Sequence, residues 1–391
     1  MRRIRGTVAG KAAVRGPSGD ANLARLAHAS AIFAFVEFPL NVAVFGTVLA
    51  SVTREKKYMA RCAVNVIAAT ALALCGTGCG KEGAVVSQAR GSVANEVVGP
   101  IARIEPATGL DAERVALGRD LFYEPRLSGD GTLACASCHD LAHGGADHVA
   151  FSQGAAGAQL GVNTPTVFNS ALNFRQFWDG RAMTLEEQVD GPLLSVLEMR
   201  SSWANVLAAV RTDASLAPRF AKSYSRGVTE EAVKDALATF ERSLTTPDAP
   251  FDRYLGGEAA AISAQASHGY ELFTSYGCSA CHQGRGVGGN MFQKLGVMRD
   301  YFADRGHETV ADQGRFNVTH DEADRHVFKV PSLRNVAQTA PYLHDGSVGT
   351  LSEAVHVMAR YQLGRDLDAN DTHDLVAFLE ALSGTYGGQS Q

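Results

Sequence analysis

Apolar residues recur at helical spacing through much of the chain. In residues 229–244 one apolar stripe is formed by Val233, Leu237, Phe240 and Leu244. Their spacing of three or four residues places them on a single face of an α-helix. A similar stripe in residues 372–384 ends at a glycine, which commonly stops a helix. No run of alternating apolar and polar residues typical of strands stands out, so the pattern predicts an all-α fold.

Two helix starts are marked by a threonine that is followed three residues later by a glutamate. Thr184 precedes Glu187, and Thr350 precedes Glu353. In a capping box of this kind, the two side chains bond to backbone N–H groups that the helix leaves unpaired. We therefore expect helices to begin after Thr184 and after Thr350.

The beginning of the chain has a different pattern, with two apolar stretches. Residues 30–52 are long enough to cross a bilayer, although Glu37 and Pro39 interrupt them. The second stretch starts at Met59 with an arginine two residues later, and it ends in small residues around Cys79. This order of positive charge, apolar run and small residues is typical of a secretory signal peptide.

We interpret residues 59–79 as the signal peptide and residues 1–58 as an extension of the gene model. A membrane anchor within residues 1–58 is the alternative. The letters "GTGC", which end at Cys79, resemble a bacterial lipoprotein cleavage site, although glycine occupies the usual leucine position. Lipid on Cys79 would anchor the protein to a membrane. Residues 80–100 are predicted to be a flexible linker.

Composition limits the partners more than the fold. The 391 residues are enough for two or three domains, and a hydrophobic share of 46% supports ordinary cores. The formal net charge is −5, from 36 Lys and Arg against 41 Asp and Glu. Without a strong basic field, nucleic acid is not expected as a partner.

Four of the seven cysteines belong to two Cys-x-x-Cys-His units, in residues 135–139 and 278–282. Cys-x-x-Cys alone would also suit a disulfide, a redox pair or half of a zinc site. A histidine directly after the second cysteine favours a c-type haem, with both thiols bonded to the macrocycle and the histidine on the iron. The sequence therefore predicts two covalently bound haem c groups and export from the cytoplasm. The residues concerned are Cys135, Cys138, His139, Cys278, Cys281 and His282.

The two units end a weak internal repeat. Residues 118–139 and 269–282 each contain a helical segment ending in Leu-Phe, then a loop, then the haem-attachment motif. Repetition of this order indicates two cytochrome c-like domains that meet at an interface, each with one haem. We expect an N-terminal haem domain in residues 101–255 and a C-terminal haem domain in residues 256–391.

Longer segments around these motifs resemble the bacterial di-haem cytochrome c peroxidases. The resemblance runs from about residue 105 to 385, and it is carried by "LFYEPRLSGDGTLACASCHD", "NTPTVFNSALNFRQFWDGRAMTLEEQVDGPL" and "FKVPSLRNVAQTAPYLHDGSVGTLSEAV". It implies the reduction of hydrogen peroxide to two waters with two electrons and two protons. Electrons from a small cytochrome c or cupredoxin would enter at the C-terminal haem, and peroxide would bind at the N-terminal haem. A periplasmic homodimer is expected.

The resemblance assigns roles to four residues that would otherwise have ordinary explanations. Met358, otherwise a core methionine, falls at the position of the sixth iron ligand opposite His282, where a thioether raises the haem potential. A related enzyme that matures methylamine dehydrogenase has tyrosine there. Trp178, otherwise a core residue, would lie between the haems and assist electron transfer. Glu198 and Gln188 would lie over the peroxide site, with Glu198 as its acid–base group.

A calcium site between the domains is also implied by the resemblance. Asn163 would contribute its side-chain oxygen, and Thr339 and Pro341 would contribute backbone carbonyls. So few protein ligands around a hard cation imply several bound waters. By their residues alone, "NTP" and "TAP" predict only turns, and His344 is assigned no metal.

The sequence departs from the family at a position that controls the N-terminal haem. Many members carry a histidine sixteen residues after the proximal histidine, where it caps the oxidised iron, and here that residue is Ala155. A methyl group cannot ligate iron. The nearby substitutes are His143 and His148, which would otherwise face solvent. We interpret the N-terminal haem as open, or holding only water, at rest, so that turnover needs little or no reductive activation.

Two other functions stay open from the sequence. An open N-terminal haem also fits a di-haem oxidase that modifies side chains of a partner protein, although Met358 argues against it. The other is a non-catalytic di-haem electron carrier. Glu198 and Ala155 argue against that function, because a pure carrier usually keeps both axial positions of its iron filled.

Overall fold

The computed structural model of the protein describes residues 99–390, with side-chain burial for residues 99–388. The interpretations of residues 1–58, of the signal peptide and of nearly all of the linker lie outside the described residues. Within the described part, short helices joined by long loops dominate, and none of those helices is long and apolar enough to cross a membrane. Its twelve α-helices are α1 (Ala112–Phe122), α2 (Leu185–Gln188), α3 (Asp190–Leu194), α4 (Trp203–Thr212), α5 (Leu216–Ser223), α6 (Glu230–Ser243), α7 (Pro250–Leu255), α8 (Ala264–Ser275), α9 (Tyr301–Arg305), α10 (Phe316–Thr319), α11 (Leu351–Gln362) and α12 (Ala369–Glu380).

The first hydrophobic core lies around α1 and α6. The stripe predicted from the sequence forms α6, whose first turn is capped by Thr229, and its four apolar side chains are buried. Leu121 and Phe122 of α1 pack into the same core, and the rings of Phe122 and Phe240 meet edge to face with centroids 5.3 Å apart. Each large apolar side chain buried in this way contributes about 1.5–3 kcal/mol, so the stripe holds α6 in place.

A second core is built from α7, α8 and α12. Phe251 of α7 and Phe378 of α12 meet edge to face with ring centroids 5.0 Å apart, and Phe273 of α8 packs beside Phe378. Ile101 and Leu255 also belong to this core, so both ends of residues 101–255 pack with the C-terminal part of the chain. The division into domains at residues 255 and 256 stays a prediction.

The two predicted helix starts differ in how their ends are capped. At the start of α11, the Thr350 hydroxyl accepts from the Glu353 N–H and the Glu353 carboxylate accepts from the Thr350 N–H, which completes a capping box. At the start of α2, the Thr184 hydroxyl accepts from the Glu187 N–H, but the Glu187 carboxylate accepts from the N–H of the preceding residue, Met183. Both helices begin where the sequence predicted.

The internal repeat corresponds to one helix crossing that occurs twice. Gly118 lies in α1 against α6, and Gly269 lies in α8 against α12. A Cβ atom on Gly118 would come within 1.9 Å of the Ala236 carbonyl oxygen, and one on Gly269 would come within 1.8 Å of the Asp374 carbonyl oxygen. Glycine is required at both positions because the backbones of the paired helices are in contact.

We expect Gly269→Ala to lower the free energy of unfolding by about 1–3 kcal/mol or more, because the added methyl group forces α8 and α12 apart. Helix propensity alone predicts the opposite sign, since alanine favours a helix over glycine by about 1 kcal/mol. Guanidinium unfolding of the haem-loaded protein measures the change. Gly161→Ala is the control, because nothing lies within 4 Å of its Cβ position. Equal stability of the two variants would contradict the close crossing.

Strands are short and few in the described part of the chain. An antiparallel pair joins β1 (Phe292–Lys294) to β2 (Val327–Lys329), with Phe292 opposite Lys329, and a second pair joins β3 (Thr385–Tyr386) to β4 (Gln389–Ser390). Strands of two or three residues show no measurable alternation of apolar and polar positions, which is why the sequence did not reveal them. The fold is predominantly helical, as expected.

Candidate functional site

The C-terminal Cys-x-x-Cys-His motif forms a tight turn directly after α8. Residues Cys278–Ala280 make one turn of 3-10 helix, and the His282 N–H donates to the Cys278 carbonyl at 3.0 Å. The His282 ring Nδ1 lies 3.2 Å from the Val287 carbonyl oxygen. Burial lowers the pKa of His282 to about 4, so the imidazole is neutral near pH 7. With Nδ1 bonded to a carbonyl, Nε2 is the nitrogen available to a metal.

The N-terminal motif repeats this arrangement closely. Residues Cys135–Ser137 make one turn of 3-10 helix, and the His139 N–H donates to the Cys135 carbonyl at 3.0 Å. The His139 Nδ1 lies 3.2 Å from the Gly145 carbonyl oxygen, and burial lowers the pKa of His139. Burial and a carbonyl contact at Nδ1 therefore hold both imidazoles in the neutral form that a metal ligand requires.

No disulfide joins the two cysteines of either motif. Burial raises the pKa of Cys135 to about 12 and that of Cys278 to about 11, so neither thiol has the lowered pKa of a redox-active cysteine. Among the described residues, the one cluster of three or more potential His, Cys, Asp or Glu metal ligands contains no cysteine. These observations disfavour the disulfide, redox and zinc alternatives.

A large cavity of about 420 Å³ adjoins the C-terminal motif. Its wall brings together Cys278, Cys281 and His282 with Met358 of α11, although these residues come from distant parts of the chain. Aliphatic and aromatic side chains from α8, α11 and α12 form most of the remaining surface. An apolar chamber with two thiols, a neutral imidazole and a thioether fits a covalently attached haem, whose iron His282 and Met358 could bind.

Trp178 and the three residues predicted for calcium lie on the wall of the same cavity. The Trp178 indole N–H donates to the Asn163 carbonyl at 2.9 Å. The Asn163 side chain is buried, and its Nδ2 donates to the Val149 carbonyl at 2.9 Å. Thr339 and Pro341 complete this part of the wall. The fold thus brings together the residues that the resemblance grouped.

Glu198 lies beside the N-terminal motif. It follows α3 in a loop, and its backbone carbonyl accepts from the Ala155 N–H at 2.7 Å. Burial raises the pKa of Glu198, and the positive charge of Arg181 partly opposes that rise. Burial also raises the pKa of Cys138, and the charge of Glu198 contributes to this increase. A half-buried carboxyl group therefore lies within electrostatic range of the predicted haem attachment.

Gln188 is the last residue of α2 and is half-buried. It lies one short helix before the loop that contains Glu198, and it does not line the large cavity. This position is compatible with the N-terminal site and places Gln188 outside the C-terminal one.

The two histidines near Ala155 lie at the surface, and each forms a local hydrogen bond. The His143 Nδ1 lies 2.7 Å from an Asp140 carboxylate oxygen, and the His148 Nε2 lies 2.9 Å from the His143 carbonyl oxygen. Both side chains are exposed, whereas Ala155 is buried. Both histidines therefore belong to the turn that follows the haem motif, and one ring nitrogen of each is bonded locally.

Two features of the site were not anticipated from the sequence. His344 lines the cavity, and its Nε2 lies 2.6 Å from a carboxylate oxygen of the fully buried Asp312. Arg305 pairs with both Asp312 and Asp345, so a cation already neutralises this cluster. Lys329 of β2 also lines the cavity. The segments "PYLHDG" and "VFKVP" contain these residues, but no local pattern in them signals burial.

Comparisons with known proteins agree with this geometry. A family model described as di-haem cytochrome c peroxidase matches residues 112–260. Cytochrome c551 peroxidase of Nitrosomonas europaea is 42% identical over 304 residues, covering 77% of this chain and 88% of that protein. The chain belongs to the di-haem cytochrome c peroxidase family.

One further relative and one solved structure are also similar to this chain. Cytochrome c peroxidase Ccp of Escherichia coli K12 is 48% identical over 293 residues, which cover 75% of this chain but only 62% of the relative. A crystal structure of a MauG-like protein associated with microbial copper homeostasis is 30% identical with a TM-score of 0.63, covering 72% of this chain and 93% of that one. Membership of a di-haem cytochrome family implies haem c as the cofactor, which the geometry of both Cys-x-x-Cys-His turns fits.

Proposed function

We propose that this family member reduces hydrogen peroxide to water with electrons from a small redox protein. The observation that carries the proposal is the half-buried Glu198 beside the N-terminal motif, because breaking the O–O bond requires an acid–base group there. The names of the relatives from N. europaea and E. coli support the same reaction. Each peroxide molecule takes up two electrons and two protons and yields two waters.

Haem c bound at the N-terminal motif would supply an iron that accepts peroxide and exchanges electrons. Glu198 takes the proton from the inner peroxide oxygen and delivers it to the outer oxygen, which then leaves as water. Burial supports this role, because it raises the pKa of Glu198 and so makes the carboxylate a better proton acceptor. The Gln188 amide orients the substrate, because it can donate and accept hydrogen bonds.

A haem held by Cys278, Cys281, His282 and Met358 would supply the site at which electrons enter. The Met358 thioether would stabilise reduced iron and so raise the potential of this site, as an entry point requires. Trp178 lies on the electron path toward the N-terminal site. The position of Trp178 and Met358 on the wall of one cavity supports this order of electron transfer.

Calcium would be held by the Asn163 side-chain oxygen and by the Thr339 and Pro341 carbonyls, with waters filling the other positions. The orientation of Asn163 supports this, because its Nδ2 donates to Val149 and leaves the side-chain oxygen for a cation. Since the Asn163 carbonyl also accepts from Trp178, a cation there would fix the indole. We further propose a periplasmic homodimer, lipid-anchored if Cys79 is modified.

We also propose that the N-terminal iron is open, or holds only water, in the resting protein. Ala155 offers no ligand, and the exposed His143 and His148 each have one ring nitrogen bonded locally. The oxidised protein should therefore react with peroxide without prior reduction of the C-terminal haem.

Replacing both His143 and His148 by alanine should leave the absorbance and electron paramagnetic resonance spectra of the oxidised protein unchanged. The physical reason is that neither imidazole reaches the iron. The rate of peroxide reaction should stay within about twofold of the parent. A low-spin bis-histidine signal in the parent that disappears in the double variant would contradict the open-iron proposal.

The proposed reaction is tested with the purified haem-loaded protein, a reduced small cytochrome c and hydrogen peroxide. We expect two molecules of one-electron donor to be oxidised for each peroxide consumed, as measured by donor absorbance and a peroxide electrode. Absence of peroxide consumption in both the oxidised and half-reduced protein would reject the peroxidase function.

A further inference from the structure

A lysine is buried in the wall of the C-terminal cavity. Lys329 is the last residue of β2, is 7% exposed, and lines the cavity that also contains His282 and Met358. Its backbone N–H donates to the Trp178 carbonyl at 2.8 Å, which fixes the position of the strand. Lysine is almost never this buried unless its charge is paired.

Within the described residues, no carboxylate compensates this charge. Burial alone lowers the pKa of Lys329 to about 8, and no nearby acid raises it again. The ammonium group therefore stays largely protonated at pH 7. A buried charge without a partner is strongly destabilising.

Another deeply buried cation among the described residues has the usual arrangement of an ion pair. Arg334 is 1% exposed and forms an ion pair with Asp252 at 2.8 Å, with further bonds to the carbonyls of Arg285 and Ala102. Lys329 has no such arrangement and faces a cavity instead. The missing negative charge must come from whatever fills that cavity.

We propose that Lys329 binds a propionate carboxylate of the haem that Cys278 and Cys281 attach in this cavity. The two propionates are the ionised groups of haem c, so they supply the anion that the wall lacks. Charge-assisted hydrogen bonds of this kind are stronger than neutral ones. The proposal depends on haem in the C-terminal cavity and not on peroxide reduction at the other site.

The ion pair has a consequence for electron entry. A positive charge near the haem favours the form with one more electron, and pairing neutralises a propionate that would otherwise favour oxidised iron. Lys329 therefore adds to the effect of the Met358 thioether and raises the potential of the electron-entry site. Lys329 acts on this potential and touches no substrate.

The test compares Lys329→Met and Lys329→Arg in the haem-loaded protein. We expect Lys329→Met to lower the reduction potential of the C-terminal haem and to shift the propionate bending band in resonance Raman spectra. Lys329→Arg keeps the charge and should preserve both readouts. Lys294→Met is the matched control, because Lys294 ends the paired strand β1 but is exposed. Haem content per chain and thermal unfolding establish that each variant is folded and loaded.

Three results would overturn the proposal. The first is that Lys329→Met has the same C-terminal haem potential and the same propionate bending band as the unaltered protein. The second is an equal fall of the potential in Lys329→Arg and Lys329→Met, which would remove charge as the cause. The third is a parent potential that changes when phosphate replaces a zwitterionic buffer, because a free anion would then occupy the site. Each readout is independent of peroxide turnover, so failure here is distinguishable from failure of the peroxidase function.

Discussion

Replacing Glu198 by glutamine is expected to slow peroxide turnover by roughly 10²–10⁴-fold, the usual contribution of a positioned acid–base group. Glutamine has nearly the same shape, so peroxide can still reach the iron, but it cannot carry a proton between the two oxygens. Stopped-flow mixing with peroxide, on both the oxidised and the half-reduced protein, measures the effect. The absorbance spectrum of the resting protein should not change.

The pH dependence gives this prediction a second readout. Burial raises the pKa of Glu198, and the positive charge of Arg181 partly opposes that rise. The Cys138 thiol lies within electrostatic range of the carboxyl group. The carboxylate that accepts the proton is present above this pKa, so turnover should fall as the pH drops through it. Glu198→Gln should lack this limb. Glu380→Gln, at an exposed position in α12, is the control and should retain both rate and pH profile. A parent-like rate in Glu198→Gln would exclude Glu198 as the acid–base group.

Replacing Met358 by histidine is expected to lower the potential of the C-terminal haem by roughly a few tenths of a volt, since axial ligands set haem potentials across about 0.8 V. Imidazole lacks the preference of a thioether for reduced iron. A redox titration followed by absorbance measures the shift, and the near-infrared sulfur-to-iron band of the oxidised protein should disappear. Turnover with a high-potential donor should fall together with this potential, because electron transfer from the donor to the C-terminal haem becomes unfavourable.

The control for Met358 is Met183→Leu, an exposed position in the N-terminal half of the chain. It should leave the potential and the near-infrared band unchanged. The reaction of the oxidised N-terminal site with peroxide should survive in Met358→His, since that site has its own proposed ligand, His139. An unchanged potential in Met358→His would show that Met358 does not ligate iron.

Local features of the chain were predictable because their causes are local. The α6 stripe and its Thr229 cap follow from spacing along one segment, and the helix was found where that spacing placed it. The two Cys-x-x-Cys-His turns are similarly contained within five residues each. The short pair of β1 and β2 could not be predicted, because its pairing depends on segments more than thirty residues apart.

The sequence by itself determined the helical class, the two haem-attachment motifs and the alanine at position 155. Each of these depends on residue type and on spacing within one segment. The tertiary structure alone decided that Met358 shares a cavity with His282 and that Glu198 lies beside Cys138. It also decided that Lys329 is buried with no carboxylate partner in the part of the chain that the structure describes. The physical reason is that burial and charge pairing depend on the neighbours that folding brings together, and those neighbours come from distant parts of the chain.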